Sequence, residues 1–316
     1  MDLEPRTKNE AGVISVVIPL YNKVRHIKRA LDSVLAQTHH EFEVIVVNDG
    51  STDGSEKVVG EYADPRIRLV SQENAGVSAA RNRGITEAEG ELVAFLDADD
   101  EWLPEHLATM YRLGSKHPEC GACASSYWVI TAKGKQALPS SEGIPGHPWE
   151  GVLQNYFRAA LTSDPIWTSA VAVPRSVFGT CGLFPVGITT GEDTDMWCRI
   201  ALKFSVAFST HPGAVYHQEA DGRSAVRVSD PCPAVVHTLN DALKQGNLLG
   251  GLHPDDLLEY RNKWLIGYAT HCLLAGERRL ARVYCARASS TRIFRWWRWR
   301  NLAASYLPSA LLKRLR

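Results

Sequence analysis

Residues 92–100 have the sequence LVAFLDADD, a short apolar run that ends in Asp97, Asp99 and Asp100. Five consecutive apolar residues are typical of a strand buried on both faces, and carboxylates at its carboxyl end emerge where open α/β sheets bind ligands. Asp97 and Asp99 lie two residues apart, so an extended backbone points both side chains the same way. Two such carboxylates suit Mg²⁺ or Mn²⁺, and the phosphates of a substrate complete the coordination shell of the ion. The alternative is a polar turn that opens a helix, with Asp100 as its N-cap and Pro104 in its first turns.

The first hundred residues alternate strand and helix patterns. Apolar, β-branched runs predict strands at 13–20, 41–50, 66–72 and 92–97. Apolar residues at helical spacing predict a helix at 26–37, and a Ser/Asp cap before 55–63 predicts a second, short helix. A third helix is predicted at 76–88. Repeated strand–helix–strand units with nearly continuous apolar strands indicate an α/β fold with a doubly wound parallel sheet. Because three of the four strands end in polar groups, we expect their carboxyl ends to line one crevice.

The rest of the chain divides into further regions. Gly, Pro and Ser predict a loop at 133–148, and helical spacing with a break at Gly276 predicts an αα-hairpin at 262–288. The predicted regions are a flexible N-terminus at 1–12, an α/β domain at 13–230, a helical appendage at 231–290 and a basic, Trp/Arg-rich amphipathic tail at 291–316.

The charge of the chain is unevenly distributed. Of its 316 residues 45% are hydrophobic and 22% charged, which is typical of a soluble globular protein. The formal net charge is zero, but residues 278–316 contain eleven Lys/Arg and no Asp/Glu. The other 24 basic and all 35 acidic residues precede this segment and give that part a net charge of −11. An acidic body with a basic tail predicts an anionic partner for the tail.

The tail admits three interpretations. Arg interleaved with Trp can stack on single-stranded nucleic acid, or lie on an anionic membrane with Trp and Leu inserted. The third interpretation is a terminal helix packed on the domain. Aliphatic and aromatic residues that a stacking platform does not need favour the membrane and argue against nucleic acid: Leu302, Tyr306, Leu307, Leu311 and Leu312.

The sequence also predicts a compartment. The N-terminus lacks an apolar segment of the signal-peptide kind, and no run of about 18 apolar residues occurs. Seven scattered cysteines fit reduced thiols better than a disulfide framework, and Cys120 and Cys123 lack the second ligand pair of a zinc site. We expect a cytoplasmic protein, peripheral on the inner face of the cell membrane.

Polar residues after the first two strands are candidates for nucleotide binding. Pro19, Tyr21 and Asn22 follow the first strand, and Tyr21 can stack on a nucleobase or be an ordinary surface tyrosine. Asp49 can accept a base imide N–H or ribose hydroxyls, or form an Asx turn and helix cap.

The phosphate-binding signals lie elsewhere. A guanidinium from the helix at 76–88, Arg81 or Arg83, suits a diphosphate if it faces the crevice and is a solvated charge if it does not. Neither a Walker A nor a GxGxxG pattern follows the first strand. We therefore expect a metal ion and arginine, instead of a glycine-rich loop, to hold phosphates.

Acidic residues at 192–195 are candidates for acid–base chemistry. Glu192, Asp193 and Asp195 open a predicted helix, where the helix dipole alone favours them. The functional interpretation is that one of them is a general base facing an acceptor hydroxyl. Two weaker candidates follow: His217 as a metal ligand or a satisfied buried histidine, and the 223–224 loop over a diphosphate. Trp149 and Trp167 line an acceptor pocket or belong to the core.

Five blocks in this order resemble family 2 glycosyltransferases of the GT-A fold: SVVIPLYN, EVIVVNDGSTDGS, NAGVSAARNRGI, GELVAFLDADDEWLP and GEDTDMWCRIAL. They cover roughly residues 13–110 and 165–220. The resemblance implies a catalytic domain at 13–230 that transfers a sugar, with inversion, from a nucleotide-diphosphate donor to an acceptor hydroxyl. Family frequency favours a UDP-sugar, and the implied acceptor is a glycan or a lipid-linked molecule of cell-surface polysaccharide synthesis.

The matching positions imply a donor site. The implied nucleoside pocket comprises Pro19, Tyr21, Asn22 and Asp49, and Arg81 resembles the basic residue near the donor. The same resemblance implies a metal site and a catalytic base.

Asp97 and Asp99 are similar to the family's DXD pair, with Asp99 the direct ligand of Mn²⁺ or Mg²⁺ and Asp97 nearer the ribose or sugar. Asp193 matches the catalytic base, and His217 is the candidate additional metal ligand. The chain departs from the family after Phe184, where an acidic residue is usual. Two other functions fit the pattern less well: a catalytically silent nucleotide-sugar-binding or scaffold protein at the membrane, and a nucleotidyltransferase, which would need a glycine-rich loop in place of PLYN.

Overall fold

The computed structural model describes residues 12–131, 134, 136–137, 143–188, 190–218, 220, 233–246 and 248–307. The strands in this part of the chain are β1 (Ile14–Leu20), β2 (Phe42–Asp49), β3 (Ile67–Gln72), β4 (Leu92–Phe95), β5 (Glu101–Trp102), β6 (Ala122–Ile130), β7 (Gln136–Ala137), β8 (Glu150–Val152), β9 (Val171–Pro174) and β10 (Val206–His217). The α-helices are α1 (Ile27–Leu35), α2 (Ser55–Gly60), α3 (Val77–Glu87), α4 (His106–Lys116), α5 (Tyr156–Ala159), α6 (Val177–Cys181), α7 (Glu192–Ala201), α8 (Ala234–Gln245), α9 (Pro254–Leu274), α10 (Arg278–Arg287) and α11 (Arg295–Ala304).

The ten strands of the described residues join one sheet, whose main order is β3-β2-β1-β4-β9-β6-β10-β5. The first four strands in this order are mutually parallel, as the sequence predicts. The other half is mixed, because β9 runs antiparallel between β4 and β6 while β6 and β10 are parallel. Two short strands lie outside this order: β7 pairs with β6, and β8 pairs with β10.

The sheet is buried on both faces, which explains its nearly continuous apolar strands. Val17 of β1 belongs to one apolar core, together with residues of α3 and α7. Val16 and Ile18 point to the opposite core, which α1 and α4 cover. The side chains of consecutive residues thus enter different cores, as the period of two of a strand requires.

The C-terminal helices extend the first of these cores. Leu257 and Tyr260 of α9 and Tyr284 of α10 are fully buried in the cluster that also contains Val17. The predicted αα-hairpin is present as α9 and α10, and Gly276 between them has φ 88°. No helix among the described residues is both long enough and apolar enough to cross a membrane.

Candidate active site

The carboxyl ends of β1, β2, β3 and β4 lie side by side, because these strands are parallel neighbours. The segments that follow them therefore line one crevice, as the sequence predicts. The amino end of α7 faces the same place, since Arg81 of α3 bonds to Asp97 after β4 and to Glu192 of α7. The candidate residues in the segments after β1 to β4 and those at the amino end of α7 thus share one site.

The segment after β1 is tied to the segment after β2. Asn22 has φ 52°, a left-handed conformation that asparagine tolerates better than most residues. The side-chain oxygen of Asn22 accepts a hydrogen bond from the main-chain amide of Thr52 at 2.8 Å. The main-chain amide of Asn22 donates to the Ser51 hydroxyl at 3.1 Å. The adjacent Tyr21 is exposed, and Pro19 is half-buried within β1. The exposed ring of Tyr21 remains accessible to a nucleobase.

Asp49, at the end of β2, is buried and holds the segment that leads into α3. One carboxylate oxygen accepts hydrogen bonds from the Gln72 side chain at 2.8 Å and the Ala75 amide at 2.9 Å. The other accepts from the Gly76 amide at 2.9 Å. Asp49 therefore fixes the start of α3, and its contact with a nucleoside stays a prediction.

Arg81 is the central cation of the crevice and is 3% exposed. Its guanidinium donates to Asp97 at 2.8 Å and to Glu192 at 3.0 Å. Burial opposes the charge of Arg81, but Asp97, Glu192 and Asp193 outweigh that cost and raise its pKa. Arg83, by contrast, is exposed and pairs with Glu87 on its own helix. Arg81 is thus the arginine of α3 that faces the crevice.

The carboxylates after β4 carry more negative charge than Arg81 neutralises. Burial raises the pKa of Asp97 despite the nearby Arg81, and Asp99 raises it further. Asp99 binds the ammonium of Lys23 at 2.6 Å, and Arg29 donates to its main-chain carbonyl. The sequence patterns do not single out Lys23, although it directly follows the PLYN segment.

Asp100 is buried and is not a helix cap. Its carboxylate accepts hydrogen bonds from the Ser169 hydroxyl at 2.6 Å, the Trp167 indole at 3.1 Å and the His217 amide at 3.1 Å. Burial, with Asp97 second, raises the pKa of Asp100 to about 7. The alternative in which Asp100 caps a helix is wrong, because β5 follows directly and α4 begins only at His106.

His217 contacts Asp100 through its main-chain amide and Glu101 through its side chain. The His217 side chain is buried, and its Nε2 lies 3.2 Å from the Glu101 carboxylate. In the described ranges no group of three or more His, Cys, Asp or Glu side chains is arranged to hold a metal ion. Asp97 and Asp99 offer the carboxylate oxygens that Mg²⁺ and Mn²⁺ prefer, and their binding of such an ion, with His217 as a further ligand, stays a prediction.

The three acidic residues in the first turn of α7 have different partners. Glu192 binds Arg81, and Asp195 binds Arg199 at 2.8 Å. Asp193 accepts a hydrogen bond from the Thr168 hydroxyl at 3.1 Å and from the Thr194 amide at 2.7 Å. Among the described residues, no Lys, Arg or His forms an ion pair with Asp193, and it is only half-buried. This carboxylate is oriented by neutral donors.

The remaining candidates are less informative. The Trp167 ring lies 4.1 Å from that of Tyr216, and Trp149 packs against the first core. Residues 223–224 and 308–316 lie outside the described part of the chain. The CxxC cysteines, Cys120 and Cys123, are buried free thiols.

Comparison with known proteins points to one family. Residues 15–170 match the model of Glycosyl transferase family 2. An uncharacterized glycosyltransferase of Rickettsia felis is 34% identical over 199 residues, which is 61% of this chain and 31% of that protein. The putative teichuronic acid biosynthesis glycosyltransferase TuaG of Bacillus subtilis is 30% identical over 203 residues, which is 63% of this chain and 76% of TuaG. The chain spans about a third of the length of the first curated relatives it matches.

Solved structures support the fold. S. aureus TarS 1–349 in complex with UDP-GlcNAc has a TM-score of 0.64 at 18% identity, covering 96% of this chain and 92% of that one. A mannosyltransferase of Pyrobaculum calidifontis in complex with GDP-Man and Mn²⁺ has a TM-score of 0.51 at 18% identity, covering 94% and 86%. At this identity the likeness concerns the fold, which confirms the expected GT-A architecture. The chain belongs to Glycosyl transferase family 2, a family of enzymes.

Proposed function

We propose that this chain transfers a sugar, with inversion, from a nucleotide-diphosphate donor, a UDP-sugar by preference, to a hydroxyl of a glycan or lipid-linked acceptor. The product would serve cell-surface polysaccharide synthesis, and the relationship to TuaG, a putative teichuronic acid biosynthesis glycosyltransferase, supports this proposal. The observation that carries the proposal is the position of Asp193. It shares the crevice with Asp97 and Arg81, yet its own hydrogen-bond donors are neutral.

Asp193 acts as the general base in the proposed reaction. Its carboxylate takes the proton of the acceptor hydroxyl while that oxygen attacks the anomeric carbon. The bond from this carbon to the leaving phosphate oxygen breaks at the same time, and its electron pair leaves with the diphosphate. A single displacement from the opposite face inverts the configuration. The Thr168 hydroxyl and the Thr194 amide keep the Asp193 carboxylate oriented toward the crevice.

The leaving diphosphate needs positive charge in the crevice. Asp97 and Asp99 would hold Mn²⁺ or Mg²⁺, since hard carboxylate oxygens suit these ions and donor phosphates complete their shell. The bound ion would stabilise the charge that develops on the diphosphate. The fold neighbour with GDP-Man and Mn²⁺ supports this pairing of nucleotide sugar and metal. Arg81 keeps Asp97 in place through its 2.8 Å hydrogen bond.

The test of this proposal is Asp193→Asn. We expect the variant to bind the donor with unchanged affinity in calorimetry and to lose turnover, measured as nucleoside diphosphate release, on the order of 10²- to 10⁴-fold. Asp195→Asn is the matched control in the same helical turn, because Asp195 is paired with Arg199 and Thr238. It should retain turnover. Turnover close to the wild type in Asp193→Asn would exclude Asp193 as the base.

A panel of nucleotide sugars, screened by thermal shift with Mn²⁺, identifies the donor.

The tail supports peripheral attachment to the inner face of an anionic cytoplasmic membrane. Asn301 of α11 is buried and donates to Thr270 of α9 at 2.8 Å, so one face of α11 packs on the helical layer. Trp296, Trp297 and Trp299 are 65%, 46% and 52% exposed. Arginines alternate with these rings and match an anionic surface.

The membrane proposal is tested by flotation with liposomes. Replacing the three exposed tryptophans of α11 together by Ala should strongly reduce binding to anionic vesicles, as should removal of residues 291–316. Val186→Ala, which changes an exposed apolar side chain outside the tail, is the control and should leave binding unchanged. Undiminished binding of the shortened chain would place the membrane contact elsewhere.

A further inference from the structure

We propose that Lys23 is an internal counter-cation of Asp99, which makes the binding of a divalent metal ion depend on the binding of a nucleoside diphosphate. This inference rests on the proposed function, because it assumes that Asp99 holds the metal. It concerns a residue that neither the sequence patterns nor the proposed reaction uses.

Both partners are held in place by other contacts within the protein. The ammonium of Lys23 lies 2.6 Å from one carboxylate oxygen of Asp99, and the two side chains are 13% and 18% exposed. The Lys23 amide donates to the Ser55 hydroxyl at 2.9 Å, which fixes the backbone at this point. Arg29 donates to the main-chain carbonyl of Asp99, so the other partner is also anchored. The pair is built into the crevice and is not a chance contact of two long surface side chains.

The ammonium of Lys23 and a divalent cation would share the single carboxylate of Asp99. Two positive charges within a few ångströms repel each other, and the partly buried site weakens the screening by water. A metal ion that binds Asp99 therefore weakens or displaces its ion pair with Lys23. The free energy of the existing ion pair then opposes the binding of metal alone.

A nucleoside diphosphate removes this opposition. Its phosphates bring negative charge next to the metal, and Lys23 extends from the segment after β1 into the same crevice. The displaced ammonium gains a new anionic partner, so the cost of leaving Asp99 is offset. Metal and nucleotide then tighten each other's binding by the same factor, as thermodynamic linkage requires.

The experiment measures Mn²⁺ binding to the full chain with the electron paramagnetic resonance signal of free Mn²⁺, in the absence and presence of UDP. In the wild type, UDP should tighten Mn²⁺ binding at least about tenfold, which is 1.4 kcal/mol. In Lys23→Met, Mn²⁺ alone should bind about tenfold more tightly, and the effect of UDP should shrink correspondingly. Lys23→Arg keeps the charge and should keep the behaviour of the wild type.

The matched control is Lys28→Met, which removes a lysine that is 70% exposed and paired with Asp32 on α1. It should leave both affinities unchanged, which separates a local effect from a change in net charge. An unchanged or weaker affinity of Lys23→Met for Mn²⁺ alone, in a chain that still gains affinity with UDP, would overturn the role of Lys23 only. Absence of Mn²⁺ binding to the wild type even with UDP would overturn the proposed metal site, and this inference with it.

Discussion

Arg81 joins carboxylates from two distant parts of the sequence, Asp97 and Glu192. Its side chain is only 4% exposed, so removing it leaves both carboxylates in a poorly hydrated place without their cation. Breaking a buried ion pair in this way costs roughly 3–5 kcal/mol. We therefore predict that Arg81→Met lowers the free energy of unfolding by about that amount, measured by urea denaturation at pH 7.

Arg83→Met is the control for this prediction. Arg83 lies on the same helix, but its side chain is 52% exposed and pairs with Glu87 one turn away. Its replacement should change the free energy of unfolding by about 0.5 kcal/mol or less. Equal losses in the two variants would mean that Arg81 contributes no more than a surface arginine.

For single residues, the sequence identifies the candidate site residues better than the residues that contact them. The positions of Asp97, Asp99 and Asp193 near one crevice follow from polar groups at strand ends and at a helix start. The partners do not follow, because they depend on packing between distant segments. Thr168, for example, reaches Asp193 from the turn before β9, and no local pattern marks that hydroxyl. The same holds for Lys23, which comes from the segment after β1.

Among the elements, α3 packs closely on the sheet because it has a glycine at the point of contact. A Cβ atom on Gly84 would lie 2.3 Å from one methyl carbon of Val17 and 2.9 Å from the other. Ala is the better helix former by about 1 kcal/mol, but overpacking of a core costs about 1–3 kcal/mol. We predict that Gly84→Ala lowers the free energy of unfolding, measured by urea denaturation.

Two further variants make this prediction specific. Val17→Ala makes room for the new methyl group, so the double variant should lose at least about 1 kcal/mol less than the sum of the single losses. Gly267→Ala in α9 is the control, because a Cβ there meets no atom within 4 Å. It should raise stability by about 0.5–1 kcal/mol through helix propensity. Additive losses for Gly84→Ala and Val17→Ala would show that the contact is not tight.

The elements themselves are predictable where their patterns are local. The helices α1 and α3 and the strands β1 to β3 lie within three residues of their predicted bounds. The strands β1 and β2 are nearly continuous apolar runs, and α1 has a clear apolar period. The alternative of a helix that opens at Asp100, with Pro104 in its first turns, does not hold, because Trp102 belongs to β5 and α4 begins at His106. The strand β5 exists because it pairs with Ala214 and Val215 of β10, far along the chain. Such non-local pairing leaves no trace in a short window of sequence.

For the whole molecule, His106 at the start of α4 links folding to pH. Its side chain is fully buried, with its ring centre 4.6 Å from that of Trp102. Within the described structure neither of its ring nitrogens has a hydrogen-bond partner. Burial lowers the pKa of His106 to about 3, against 6.5 for an exposed histidine. The unfolded chain therefore binds a proton between these pKa values and the folded protein does not.

This difference destabilises the folded protein as the pH falls. The contribution of neutral His106 is complete above pH 6.5 and is lost progressively toward pH 3, which amounts to about 2 kcal/mol at pH 5. His106→Phe cannot bind a proton in either state, so the stability of the variant relative to the wild type should rise by about that amount between pH 7 and pH 5. Urea denaturation at both pH values measures this change. The exposed His237 of α8 provides the control, since His237→Phe should have the same relative stability at both pH values. A relative stability of His106→Phe that does not depend on pH would show that His106 is protonated in the folded protein, or that it is accessible to water.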